Sequence, residues 1–314
     1  MKKGRIVGLG TVAVDIVVSV PHLPKPDGFA LVTGQTRLDG GSGANVIVQA
    51  SRLGAETGYI AQVGDDDIGM RITKSLGSEG VDTSRFVKKE NGVSVYTYIA
   101  VDSVGQKQIF LNMGDAFLQL QTDQVDYSYI ETADVFYTDL LPFGPAALGL
   151  KRAKSAGAKT VVNIQVGLPI MEEFGVSPEQ IMDILPFVDV FAPCREAFAQ
   201  LAKKDCPEKA ITEFSLAYPT SKVVLTLGSK GSITVLDGKV LTVPAYDVEV
   251  VDTTGAGDSY LGAFMVGYYL EGMSIGEAMK FASAAAAFTC TKLGARSSPT
   301  RDQVDRLVKN GLLE

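Results

Sequence analysis

"ADVFYTDLLPFGPAALGLKRAKSAGAKTVVNIQ" (residues 133–165) decides the fold class. Its first third is an apolar, β-branched and aromatic run, "ADVFYTDLL". An amphipathic stretch with helical spacing follows, "PAALGLKRAKSAG", and then a second apolar run, "KTVVNIQ". The rhythm continues with "SPEQIMDIL" as helix, "VDVFAP" as strand, "REAFAQLAKK" as helix and "KVVLTLG" as strand. Apolar strands alternating with amphipathic helices predict an α/β protein whose parallel sheet is covered on both faces. "GSITVLDG" and "KVLTVPA" interrupt the alternation as a hairpin with Asp237-Gly238 at its turn. "VEVVD" then leads into a glycine-rich stretch and three further helices.

The same rhythm runs towards the N-terminus, less regularly. "RIVGLG" and "TVAVDIVVSV" read as strands, "SGANVIVQASRLG" as a helix stopped by Gly54, "TGYIAQVG" as strand and "DIGMRITKSLGSEG" as helix. "FALVTGQTRL" (29–38) reads as one more strand, and "VSVYTYIAVD" and "KQIFLNM" as a pair turned by "SVGQ". The strands within about 12–38 and 93–112 fall outside the alternation, so they are expected as a small β-sheet lid inserted in a single domain spanning 1–314.

Composition excludes several classes of function. The chain has 314 residues, 46% hydrophobic, enough for a large core. There is no apolar run ending in a small-residue cleavage site and none of the roughly 20 residues a membrane span needs, so a cytoplasmic protein is expected. Cys194, Cys206 and Cys290 lack metal-like spacing and fit reduced, buried thiols. The formal charge of −7 has no basic block within it, which argues against nucleic acid as partner. The one histidine, His22, sits among prolines in "VPHLPKP", so any general base is a carboxylate.

Three glycine clusters compete for the chemistry. "GLGTVA" (8–13) matches a dinucleotide fingerprint, but the fingerprint needs a helix next, and "TVAVDIVVSV" reads as strand. "LDGGSGANV" (38–46) is followed by a helix; its glycines let a ligand approach the backbone, and Asn45 offers donors and acceptors to a polyhydroxy ligand. "DTTGAGDSYLGAFMVGYYLEG" (252–272) places Gly255, Ala256 and Gly257 at a helix start, where backbone N–H groups and the helix dipole bind anions. It carries no lysine, so it is no Walker loop. Asp258 follows on the first turn. Amides for a charged group beside a carboxylate base suit phosphoryl transfer to an alcohol. A purely structural turn, with Asp258 serving the helix N-terminus, is the competing reading.

These segments resemble the signatures of the ribokinase-like (PfkB) carbohydrate kinases: "GGSGANVIVQASRLG" the N-terminal one, "DTTGAGD" the C-terminal one. "VDIV", "VGDDDIG", "TLGSKG" and "FASAAAAFTCTKLGARSSP" extend the likeness along the chain in order. The resemblance implies a ribokinase-like fold, with the alcohol bound between lid and sheet. It implies Asp258 as base and the amides of Gly255, Ala256 and Gly257 as anion hole. It further implies Asp15, Gly41 and Asn45 on sugar hydroxyls, and Thr226, Gly228, Gly231 and Ser283 around ATP. Glu196 is implied to act on Mg2+ through water, and Asp252, Thr254, Gly294 and Ser298 are the positions for a possible monovalent cation, K+. A homodimer through the lids is implied as well. One departure stands in "APCREAF", where Pro193 occupies the place of the family's usual asparagine and offers no side-chain ligand.

The substrate expected is an unphosphorylated small sugar or sugar acid, since Arg37 and Lys107 are the lid's candidate cations for a phosphate and surface solvation is their default. A nucleoside would use an aromatic slot from Phe29, Tyr96, Tyr98 and Phe110, which equally suit lid packing or a dimer contact. A catalytically weak sugar-binding homologue, motivated by Pro193, is the alternative from another class.

Overall fold

The computed structural model describes residues 4–310. Seven parallel strands form the central sheet, in the spatial order Lys222–Val223, Val190–Pro193, Lys159–Ile164, Val135–Thr138, Arg5–Leu9, Glu56–Ile60, Val81–Asp82. Side chains alternate between its faces, as the strand period of two requires. Val7, Leu9, Phe136, Val162 and Phe191 pack with the helices Phe143–Ser155, Pro178–Ile184, Arg195–Ala202 and Pro207–Ala217. Ile6, Val135, Tyr137 and Val161 pack with Ser42–Arg52, Asp67–Ser78, Ala256–Met265, Ile275–Cys290 and Arg301–Asn310. The two cores explain why these strands read as unbroken apolar runs.

A second sheet of four strands lies apart from the first, in the order Gly34–Gly40, Ala13–Ser19, Tyr96–Val101, Lys107–Asn112. Its middle pair is parallel and both outer pairs antiparallel. The strand Ala13–Ser19 removes the dinucleotide reading of "GLGTVA", which needed a helix there.

Three expected strands differ. The run 29–38 forms ladder only from Gly34, because Phe29 and Leu31 are 85% and 73% exposed and have no core to face. "KVVLTLG" divides: Lys222–Val223 pairs parallel with Val190–Phe191, whereas Leu225–Thr226 pairs antiparallel with the hairpin strand Ser232–Leu236. "TGYIAQVG" also divides, at Ala61. The hairpin itself closes as expected, with Asp237 and Gly238 at φ 50° and 74°, the paired positive values of its tight turn.

Two helices, Ser42–Arg52 and Ala256–Met265, cross closely at Gly262, where a Cβ would stand 2.5 Å from the Val46 carbonyl oxygen. Only a residue without a side chain permits that approach, and it carries Asp258 to Asn45.

Candidate active site

The strands Arg5–Leu9, Val135–Thr138, Lys159–Ile164 and Val190–Pro193 all deliver their C-terminal ends to one rim, the usual ligand side of a parallel sheet. Beyond them lie Thr11, Asp139, Gln165 and Cys194. A cavity of about 350 Å³ opens there, with Asp15, Asn45, Asn163, Pro193, Thr226 and Asp258 among its walls. A second, of about 340 Å³, adjoins it and shares Asp15, Gly41, Ser42 and Gln165.

Both helices start at this cavity, and neither has a side-chain cap. Gly41 (φ 84°) precedes one and Gly255 (φ 80°) the other, both in backbone conformations that L side chains resist. A Cβ on Gly41 would also stand 2.5 Å from the Val12 Cα, and one on Gly255 would meet the Ala295 carbonyl. Ala256 donates its N–H to the Thr253 carbonyl at 3.2 Å, so it is turned away from the expected anion hole. Among the described residues the amides of Gly255, Gly257 and Asp258 have no protein acceptor. In front of Gly257 the space is open, with no atom within 4 Å of where a Cβ would be. The positive ends of two helix dipoles therefore meet at one opening.

Asp258 is buried on the first turn of its helix. Ser42 Oγ donates to its Oδ1, and Asn45 Nδ2 to its Oδ2 at 2.9 Å. Burial pushes its carboxyl up to about 6, against the pull of Ser42, Asn45 and the Arg296 charge. Arg296 holds the other end of Asn45, donating from Nε to Oδ1 at 3.0 Å, and also reaches Ser75 Oγ at 2.9 Å and the Gly40 carbonyl at 2.8 Å. Asp15 faces the same space, receives a hydrogen bond from Thr97 Oγ1 and has its carboxyl raised by burial. Asp139 is also pushed up to about 6 by burial, but its oxygens are taken by the Thr11 N–H (2.9 Å), the Thr11 hydroxyl (2.7 Å) and the Leu141 N–H (3.2 Å).

The other expected residues spread more widely. Thr226 lines the cavity; Gly228 and Gly231 form the turn beyond it, both at positive φ. Ser283 is buried on the helix Ile275–Cys290 and donates to the Pro244 carbonyl at 3.2 Å. Glu196 stands exposed on the first turn of Arg195–Ala202, accepting from Gln200 at 3.3 Å, while Pro193 forms part of the wall. Oxygen donors in the wall that Mg2+ could use include Asn163 and Gln165, and Glu196 follows the wall residue Cys194 by two positions. That set fits an ion held mainly by water and phosphate, which takes few protein ligands. Asp252 accepts from Thr254 Oγ1 at 2.7 Å and from the Gly294 N–H at 3.0 Å, with Lys107 Nζ at 3.9 Å. Ser298 accepts from Arg52 Nη1 at its carbonyl and hydroxyl, at 2.5 and 3.2 Å.

Sequence reasoning missed Ser42, Arg296 and Asp139. Ser42 follows Gly41 directly and could have been read as a polar neighbour of the motif. Arg296, an arginine in the small-residue loop "GARSSP", was the other available signal. Asp139 ends an apolar strand and carried none.

A buried carboxylate beside unpartnered amides, on the rim of a parallel sheet, defines a phosphotransferase that acts on an alcohol. The sequence profile of the pfkB family carbohydrate kinases matches residues 3–302. Among curated proteins, the chain is 32% identical to a ribokinase of Haemophilus influenzae, covering 94% of this chain and 95% of that one. It is 31% identical to an ATP-dependent ribose-1-phosphate kinase of Halopiger xanaduensis, covering 96% of each. Among solved structures, the ribokinase of Thermotoga maritima superposes with a TM-score of 0.84 at 27% identity, over 97% of this chain and 99% of that one. Arabidopsis thaliana ribokinase, solved with ribose and ATP, gives 0.82 at 25% identity, over 98% and 99%. The chain belongs to the pfkB family of carbohydrate kinases and is an ATP-dependent phosphotransferase.

Proposed function

We propose that the chain transfers the γ-phosphate of ATP to a primary hydroxyl of a small, unphosphorylated sugar, of the ribose, fructose or 2-keto-3-deoxygluconate type. The observation that carries this reading is Asp258. It is buried, held by Asn45 and Ser42, and adjoins the free amides of its own helix start. Ionised, it takes the hydroxyl proton as the oxygen attacks, while the amides of Gly255, Gly257 and Asp258 hold the charge of the transferred group. Asp15, Asn45 and the backbone at Gly41 orient the sugar. When bound, Mg2+ neutralises phosphate charge, with Asn163, Gln165 and, through water, Glu196 around it. Thr226, which lines the cavity, would hold the nucleotide together with Gly228, Gly231 and Ser283.

The walls of both cavities contain no lysine or arginine among the described residues, which disfavours a sugar phosphate. Arg37 is exposed, and Lys107 faces Asp252. The four-stranded sheet acts as lid. Its outer strand, exposed along Lys107–Asn112, supports a homodimer through the lids. Unpaired thiols and an ATP requirement suit a cytoplasmic protein.

The test is ADP release across ribose, fructose, 2-keto-3-deoxygluconate, hexose phosphates and nucleosides, with Mg2+ and K+ supplied. Turnover of an unphosphorylated sugar or sugar derivative is expected. If every compound fails while one of them still raises the melting temperature, the chain is a binding homologue weakened at Pro193.

A further inference from the structure

The rim of the central sheet opposite Asp258 holds a third cavity, of about 360 Å³, walled by Lys159, Asp189, Thr220, Lys222, Tyr268 and Tyr269. Lys159 and Lys222 begin the strands Lys159–Ile164 and Lys222–Val223, which flank Val190–Pro193 on its two sides. Register puts both lysines on one face. Lys159 shares its face with Val161 two positions on, Val161 pairs with Val190, and Val190 pairs with Lys222. The helix Ala256–Met265 covers that face and runs on into Val266–Leu270. This last turn is a π-helix, with the Glu271 N–H donating to the Val266 carbonyl at 3.1 Å, a form frequent at functional sites. It brings the rings of Tyr268 and Tyr269 to the cavity, 4.8 Å apart.

Free donors outnumber free acceptors here. Asp189 Oδ1 is taken by Lys154 Nζ at 2.7 Å, and Oδ2 by the Thr160 N–H and hydroxyl, each at 2.9 Å. Lys154 reaches it from the helix Phe143–Ser155, on the sheet's other face, and offsets its charge. Among the described residues neither Lys159 nor Lys222 has a carboxylate partner, and neither tyrosine hydroxyl has a hydrogen-bond partner. Burial, with the Asp189 charge nearby, raises the Tyr269 hydroxyl above its ordinary value, so it stays a donor. Two uncompensated ammonium groups and two phenol donors around one cavity suit a compact dianion. Phosphate accepts charge-assisted bonds from both kinds of donor. A neutral polyol gains nothing from the lysine charges.

We propose that this rim binds a phosphate dianion, either as the free ion or as the monoester of a small sugar. The site shares no wall residue with the cavities around Asp258 and Asp15, and it does not rest on the proposed kinase substrate. Its ligand sits at the far end of the helix whose first turn carries Asp258.

The experiment titrates the intact chain with inorganic phosphate, ribose 5-phosphate and ribose by calorimetry, beside Lys159→Gln/Lys222→Gln with its melting temperature checked. Losing two charge-assisted contacts is expected to weaken one phosphate-binding step about tenfold or more. Tighter binding of the ester than of phosphate at that step makes the ester the ligand, and equal binding makes it the free ion. Phosphate and ester bound equally by both chains, or bound by neither, overturn the proposal. If the double variant melts well below the parent, Tyr268→Trp decides instead, because the chain has no tryptophan and the new fluorophore reports this wall alone. A saturable change in its emission with phosphate or the ester, and none with ribose, supports the site. No saturable change, or an equal one with ribose, overturns it. Either result leaves the kinase reading standing, since no residue of this rim enters it.

Discussion

Asp258 is costly to ionise where it stands, and the cost is what makes it useful. Desolvation raises its carboxyl to about 6, while Ser42, Asn45 and the Arg296 charge keep it from rising further. As the proposed base, Asp258 must be ionised, so kcat/KM is expected to be full above pH 7 and to fall as pH drops through about 6. Replacing Arg296 with methionine removes a charge that favours the carboxylate, and the acid limb of the pH–rate profile should move upward. A limb that stays in place would show that another group sets it. Asp258→Asn should lose roughly three orders of magnitude in kcat, within the usual range for a general base, and retain sugar binding by calorimetry. The linkage sign gives a second readout. Because the folded carboxyl is raised above its ordinary value, the stability it contributes at low pH is lost as pH rises from about 4 through about 6. The asparagine variant should therefore gain in melting temperature relative to the parent at pH 8 and not at pH 4.

At the level of elements, two helix starts converge because two helices cross at Gly262. Gly262→Ala would press a methyl against the Val46 carbonyl and the Gln49 side chain, 2.5 and 2.8 Å away. Overpacking of this kind costs about 1–3 kcal/mol, and spreading the helices would also lengthen the Asn45–Asp258 hydrogen bond. Loss of several degrees in melting temperature together with lower kcat/KM is expected. Gly257→Ala makes the contrast. Its methyl enters open space on a helical backbone, so scanning calorimetry should show stability kept, since alanine favours helix. Turnover should fall at least tenfold, because the proposed anion hole puts the transferred group in that space. Unchanged kcat would remove the Gly257 amide from the anion hole.

For the whole molecule, the four-stranded sheet joins chemistry to assembly. Lys107 reaches from its outer strand to Asp252 beneath the glycine loop, while Ile109 and Phe110 on that strand are 62% and 60% exposed. An open apolar strand edge of this kind invites a second copy. Light scattering should find a dimer at micromolar concentration, and Phe110→Lys should convert it to monomer and raise the sugar KM. A monomeric parent chain would sink the proposal.

The amino-acid order by itself determined the alternating strands and helices, strands outside that alternation that form the second sheet, and the glycine-rich helix start that carries Asp258. Each rests on local physics: periodicity sorts side chains to faces, and small residues at a helix start leave amides free. It did not divide "KVVLTLG" or shorten the run at 29–38, because strand pairing depends on which neighbour offers a ladder and which face finds a core. Nor could it turn Ala256 towards Thr253, join Arg296 to Asn45 across 251 positions, or bring Lys159, Lys222 and Tyr268 to one cavity. Those contacts exist only where the packed sheet and helices bring distant parts of the chain together. There, burial sets how readily Asp258 ionises.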